Sequence, residues 1–327
     1  MSASHHPVGG SARDGGFVNT DQPPRVPMIT VWGEALVDRI VAADGTVDSI
    51  LGGGPFTTAC ALGRLGATAG FVGAVSDDVD GDRIMSRLAA DGVDRSRVVR
   101  VAAPTTTATA LLDLDGSATY RFDLDQTSVG AMSTIPMSGA DQIIFTGGLS
   151  LVVEPLAAAI ETAVADLADE VMVMVDLNVR PAAITDAETY RRRLRRVVSH
   201  TDLVKISTDD LVALGGDRST ASDLLNWGAA AVIVTAGADP VTIITPTGTR
   251  TIEMAPVEVI DTVGAGDTFD AAVLAWWQAH GYGCATSISL GELVRGLGRE
   301  LVIGDIGRAG IDRRIGQTGK EPVSVVS

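Results

Sequence analysis

The stretch DTVGAGDTFD, residues 261–270, sets two glycines around one alanine and runs them straight into an aspartate. An apolar, helix-like segment follows, Ala271 to Trp276. Two readings account for a carboxylate in such a place. In one, Asp267 is the N-cap of the helix, and Asp270 three residues on completes a capping box. In the other, Gly264, Ala265 and Gly266 expose backbone N–H groups to an anion at a helix N-terminus, and Asp267 takes a proton beside it. A capping carboxylate does not by itself require Gly-Ala-Gly ahead of it. The stretch lacks the Lys-Ser/Thr ending of a P-loop and lies late in the chain, where a dinucleotide fingerprint would come early.

Outward from this stretch, short β-branched runs alternate with helical patterns. VPMITVWG, ending at Gly33, reads as the first strand, followed by TAGFVGAV (68–75), QIIFTGG (142–148) and VMVMVDLN (171–178). DLVKIS (202–207), AAVIVTAG (230–237) and VTIITPTG (241–248) continue the series. Helix patterns fall near 55–66, 80–92, 151–168, 186–199, 219–227, 267–280 and 287–302. This alternation predicts a doubly wound, mostly parallel α/β sheet flanked by helices, with ligands beyond the carboxyl ends of its strands. Residues 105–125 break the rhythm with two alternating runs around Asp115-Gly116, a hairpin signal. With 39–51, which has its own Asp44-Gly45 turn, they form either a small separate antiparallel sheet or an edge extension of the large one. A separate sheet would serve as a lid or as a dimer surface.

Two further segments carry chemistry. LGGGPFTTACALGRLGA (51–67) introduces a helix with three glycines and Pro55, a flexible turn or a backbone pressed against a small ligand. In WGEALVDRI (32–40), Glu34 and Asp38 are either an exposed acidic pair or, in Asp38, an acceptor for ligand hydroxyls.

Composition narrows the function classes. The chain has 327 residues, 46% apolar but only 4% aromatic, so Ala, Val, Leu and Ile must build the core. Its 25 basic and 41 acidic residues leave a net charge of −16, which argues against nucleic-acid and anionic-membrane partners. Cys60 and Cys284 fit no metal spacing and read as reduced thiols, consistent with a cytoplasmic protein. No apolar run reaches the ~18 residues of a membrane helix. Residues 1–26 read as a disordered tail, 27–315 as the folded domain and 316–327 as a flexible end.

The order of GEALVD, GGGPFTTACALGRLG and DTVGAGDTF resembles the ribokinase-like (PfkB) family of sugar kinases, nearest in look to its fructokinase and 2-keto-3-deoxygluconate kinase branches. FVGAVSDDVDGDRI (71–84), DLNVRP (176–181), DLVKISTDDL (202–211) and VIVTAGADP (232–240) extend the likeness over roughly residues 28–310. The resemblance implies that Asp267 is the catalytic base and that the Gly264–Ala265–Gly266 turn is the anion hole for the moving phosphoryl group. It implies that Asp38 and Gly53 hold sugar hydroxyls, with Gly54 and Thr57 close by, and that Arg180 approaches phosphates or substrate. Thr235 and Gly237 would lie under ATP, Ser207 and Asp210 would help position Mg²⁺ and phosphate, and Asp261 belongs to a loop that binds a monovalent cation such as K⁺ in some members. The segments 39–51 and 105–125 would be the β lid, often a homodimer surface.

Four positions depart from the family pattern. Thr57 stands where fructokinases carry Asn, Ser207-Thr208-Asp209-Asp210 replaces Asn-x-x-Glu, Pro240 replaces a Gly, and 287–310 lacks the Ala-rich adenine-side pattern. A fructose-like sugar is therefore the first expectation. A keto-deoxygluconate or nucleoside kinase, or a sugar-binding sensor with impaired catalysis, is the alternative; only Phe56 and Tyr120 offer a ring to stack on a base, which weighs against the nucleoside kinase. A dinucleotide oxidoreductase is excluded, because WGEALVD stands where its glycine fingerprint should follow the first strand.

Overall fold

In the structure, a computed structural model describing residues 28–42, 44–112, 118–167, 171–253 and 264–280, the apolar runs become the strands of one large sheet. In chain order the strands are β1 (Met28–Trp32), β2 (Leu36–Val41), β3 (Val47–Gly52), β4 (Ala69–Val72), β5 (Ala74–Ser76), β6 (Val99–Val101) and β7 (Thr107–Leu112). There follow β8 (Ala118–Asp123), β9 (Asp141–Gly147), β10 (Met172–Asp176), β11 (Leu203–Ser207), β12 (Ala231–Ala236), β13 (Asp239–Thr245) and β14 (Gly248–Ile252). The helices are α1 (Gly54–Arg64), α2 (Val79–Ala90), α3 (Leu156–Ala165), α4 (Ala187–Val198), α5 (Thr208–Ala213), α6 (Asp223–Asn226) and α7 (Ala265–Ala279).

The large sheet runs β14-β13-β12-β11-β10-β9-β1-β4, parallel from β12 to β4, with β13 and β14 added antiparallel at one edge. Period-two alternation feeds two cores. Ile143 and Phe145 of β9 face a layer with α1, α2 and α7, whereas Ile144 faces α3 and α4. Both faces are thus covered, which is why these strands read as near-continuous apolar runs. The chain steps from β1 outward to β4 on one side and from β9 to β10, β11 and β12 on the other. That reversal opens a crevice at the carboxyl ends of β1 and β9, where α/β sheets bind ligands.

The second sheet runs β3-β2-β7-β8 and is separate from the first, so the edge-extension alternative is set aside. It consists of two antiparallel hairpins, β2–β3 and β7–β8, joined along a parallel β2–β7 seam. In the first hairpin, Gly45 has φ +84° and the Thr46 N–H donates to Asp44 Oδ1 at 2.8 Å. The Asp115-Gly116 turn lies outside the described residues, as do the tails, Cys284 and the 287–302 helix pattern.

Two expectations need correction, and one helix was not expected. The helix expected over 151–168 begins only at Leu156. Residues 148–151 form a tighter 3₁₀ turn, and Pro155, which lacks an N–H, sits at the helix start. The helix expected over 219–227 is a 3₁₀ turn at Arg218–Ser222 leading into the single turn of α6. Helix α5 is not apparent in the sequence pattern, since six residues show little period. Among the described residues no helix is long and apolar enough to cross a membrane.

Candidate active site

The two readings of Asp267 separate at the start of α7. The N-cap is Gly264, in the left-handed region at φ +80°, and no side chain caps the helix. Asp267 is the third helical residue, so the capping-box reading fails. Thr268 instead closes the turn, its N–H and hydroxyl donating to the Gly264 carbonyl at 2.9 and 2.8 Å. The Thr58 hydroxyl of α1 donates to the Asp267 carbonyl at 3.3 Å and ties the two helices together beside the turn. The first N–H groups of α7 have no intrahelical acceptor.

Facing this turn are the carboxyl ends of β1, β9 and β10. A side chain on Gly54 would place its Cβ 3.0 Å from Asn178 Nδ2 and 3.4 Å from Asp267 Oδ1, so only glycine leaves the space between them open. Asn178 has φ +35°, in the region where Asn is tolerated better than most residues, and its N–H donates to Asp176 Oδ1 at 3.2 Å. Glu34, just past β1, is buried and bridges the crevice to the end of β9. Its Oε2 accepts the Ser150 N–H at 3.0 Å and the Ser150 hydroxyl, while the Glu34 N–H donates to Ser150 Oγ at 3.0 Å. Gly53, at φ +102°, passes so close to the Glu34 carbonyl that a Cβ would sit 2.8 Å from it. Asp38 leans from β2 over bare Gly52, where a Cβ would come within 2.1 Å of its Oδ2.

Beneath the turn lies a buried charge cluster. Oxygens of Asp176, Asp267 and Asp270 lie within 4.8 Å of one another. Lys205 enters from β11, its Nζ 2.8 Å from Asp176 Oδ2 and 3.9 Å from Asp270 Oδ2. Burial pushes the Asp267 carboxyl up to about 7 against the downward pull of Lys205, with the charge of Asp176 adding to the rise. Burial likewise raises Glu34 to about 7, although its hydrogen bonds from Ser150 oppose the shift. The arrangement offers a carboxylate with raised proton affinity beside a helix N-terminus, open towards a crevice floored by glycines.

Residues 26–294 match the model of the pfkB family carbohydrate kinases. A fructokinase from Rhizobium leguminosarum bv. trifolii is 36% identical over 260 residues, covering 76% of this chain and 79% of its own length. The chain belongs to the pfkB family of carbohydrate kinases. Escherichia coli fructokinase is 27% identical over 262 residues, covering 77% of this chain and 85% of its own. Among solved structures, Xylella fastidiosa fructokinase with bound ATP superposes with a TM-score of 0.74 at 25% identity, covering 87% of this chain and 90% of that one. The aminoimidazole riboside kinase of Salmonella enterica, complexed with its riboside and an ATP analog, shares the fold at a TM-score of 0.70 and 22% identity, covering 86% and 90%. The protein is a sugar kinase with the ribokinase-like fold.

Of the residues that the pfkB motifs mark, the structure groups Asp267, Gly264, Ala265, Gly266, Gly53 and Gly54 around the crevice. Arg180 is exposed at its edge and donates to the carbonyls of Asn178 and Val179 at 3.3 and 3.2 Å. Thr57 is buried within α1, and its neighbour Thr58 makes the contact to residue 267. Thr235 and Gly237 lie at the end of β12 and in the turn after it, where Gly237 has φ +59°. Thr235 opposes both Pro240 and Val241 in a bulge, a place where a missing N–H removes no ladder bond. Phe56, the expected stacking aromatic of α1, is buried edge-on against Phe71 with ring centroids 6.4 Å apart. The side chain of Tyr120 and all of Asp261 lie outside the described residues.

Ser207 and Asp210 form a capping box at the start of α5. Asp210 Oδ2 accepts the Ser207 N–H at 2.9 Å and hydroxyl at 2.6 Å, and Oδ1 accepts the Val179 N–H at 2.7 Å. With both oxygens committed to protein donors, Asp210 does not fit direct coordination of Mg²⁺. In the Asp176–Asp267–Asp270 trio, the Lys205 ammonium already stands against Asp176 and Asp270, in the place a metal ion would take. Lys205, Asp176, Asn178, Asp270 and Thr58 are the site residues that sequence reasoning missed. One signal was present: a lone Lys inside the apolar run DLVKIS must be buried, and a buried ammonium demands a carboxylate.

Proposed function

We propose that this sugar kinase transfers the terminal phosphoryl group of ATP to a primary hydroxyl of a fructose-like sugar, with Asp267 as base and the N–H groups of the Gly264–Gly266 turn as anion hole. The observation that carries this reading is the freedom of Asp267 from capping: a carboxyl raised to about 7 stands in the first turn of α7 and takes no part in holding the helix.

Each chain residue has a task. Asp38, on the lid, and Gly53, at the crevice, hold sugar hydroxyls, and the bare face of Gly54 leaves room for the ring beside Asp267. As the new P–O bond forms, the hydroxyl proton passes to Asp267, a transfer worth roughly 10²–10⁴-fold. Charge on the phosphoryl oxygens meets the N–H groups at the α7 terminus, which are fixed before the reaction and so need no reorganisation. Arg180 stands at the crevice edge, where it lowers the proton affinity of both Asp267 and Glu34 and can meet the phosphates. Thr235 and Gly237 sit beneath the nucleotide, and Mg²⁺ travels with its phosphates, neutralising their charge. The lid shields the site from water and pairs two subunits in this reading.

Fructose is favoured over a nucleoside because Phe56 is turned into the core, leaving the α1 side without a stacking platform. A coupled ADP-release assay over fructose, other ketoses, keto-deoxy acids, ribose and nucleosides tests the reading. The highest kcat/KM is expected with fructose. A nucleoside or keto-deoxy acid in first place overturns the substrate, and a flat response from folded protein overturns the kinase chemistry.

A further inference from the structure

We propose that Lys205 is a positioning residue for phosphoryl transfer: its ammonium, pinned to Asp176 beneath Gly266 and facing Asp270, is the fixed positive charge against which the Asp267 carboxylate works. The proposal rests on Asp267 being the base, as set out above.

Lys205 is 4% exposed and lies within a strand paired on both sides. An ammonium in such a place is stable only if paired. Asp176 supplies the partner at 2.8 Å. Asp270 is fully buried, and neither of its oxygens has a hydrogen-bond partner among the described residues. One ammonium cannot balance three carboxylates, and the cluster resolves this through Asp270. Burial pushes that carboxyl well above the usual range against the pull of Lys205, with the charges of Asp176 and Asp267 adding to the rise, which favours its neutral form, able to offer a proton to Asp176. Asp176 and Lys205 then form an ion pair, and Asp267 is left as the group that titrates.

Among the described residues, the groups facing Asp267 are Asp270 from α7, Lys205 from β11, Asp176 and Arg180 from β10 and its loop, and Glu34 from the end of β1. Lys205 exerts the strongest downward pull among them. The same geometry explains the second glycine of the turn. A Cβ on Gly266 would lie 3.0 Å from Lys205 Nζ, so the ammonium would have to give way by a few tenths of an ångström.

The test is kcat/KM against pH on the full chain, with fructose and MgATP, for wild type, K205M, K205R, D270N, K205M/D270N and D267N. Wild type is expected to rise with pH through about 7. Lys205 exerts the largest downward electrostatic pull on Asp267, so K205M is expected to move the rising limb up by about one unit or more. That reads as a tenfold or greater loss at pH 6, with near parity at pH 9. K205R and D270N should leave the limb in place. If K205M does not fold, K205M/D270N carries the test, because the new amide replaces the donor that Asp176 loses, and the limb should move as far. A uniform loss at every pH with an unmoved limb makes Lys205 merely structural and overturns the proposal. A D270N limb displaced by a unit overturns the neutral Asp270. D267N turning over like wild type overturns the base assignment itself, whereas an inactive D267N beside an unmoved Lys205 limb overturns this proposal alone.

Discussion

Asp267 and Glu34 hold their protons more tightly in the folded protein than in an unfolded chain, and this has a sign that can be measured. Both sit at about 7 when folded, against roughly 4 when unfolded. Between about pH 4 and 7 the folded state therefore binds more protons, so their contribution to stability is full below about 4 and is lost as pH rises through 7. Asp78 works in the opposite sense and lower. Burial alone would raise it, but hydrogen bonds from Thr105 and Gly81 outweigh that and hold it at about 2, so its contribution is lost only as pH falls from about 4 to 2. Replacing Asp267 by Asn deletes one raised carboxyl. In urea unfolding of ligand-free protein, the stability difference between D267N and wild type is expected to move in the variant's favour from pH 5 to pH 8. A difference that stays constant, or moves the other way, contradicts the raised carboxyl.

At the scale of elements, α5 is held by chemistry rather than by period. Its six residues are too few for an apolar stripe, and the Ser207–Asp210 box provides its start. Asp210 also reaches across to the Val179 N–H, so one side chain fixes both the helix and the loop that carries Asn178 and Arg180. The shorter Asp, in place of the Glu of the family pattern, suits this role because it must fold back onto Ser207. Asp210→Ala should therefore lower unfolding stability by about 2–4 kcal/mol, combining a lost cap with a buried unsatisfied N–H. Chemical denaturation measures it, and a loss below about 1 kcal/mol would mean that the bond to Val179 is not made. Why the sequence concealed α5 is the same reason: a cap is a hydrogen bond in space, and STDDL alone reads equally well as a loop.

Across the whole molecule, the parallel sheet, its two helical layers and the small antiparallel sheet were legible because burial on both faces writes itself as long apolar runs, and a half-exposed hairpin as alternation around Asp-Gly. The glycines of the crevice were legible as permissive backbone, but not the reason for each. Gly54 keeps Asn178 and Asp267 apart, and Gly266 clears Lys205. Those reasons depend on residues more than 100 positions apart in the chain for Gly54, and on a strand buried beneath the turn for Gly266. The net charge of −16 adds a constraint at this scale. In the proposed reading the global field repels a nucleotide, and the α7 terminus, Arg180 and a metal accompanying the phosphates hold it locally. Everything then converges on one carboxylate. The most direct measurement pairs turnover of D267N, with fructose and ATP, with calorimetric binding of fructose to the same variant. Turnover is expected to fall by roughly 10²–10⁴-fold while the fructose Kd stays within about threefold of wild type. Turnover within tenfold of wild type, with fructose bound as before, would contradict the role of Asp267.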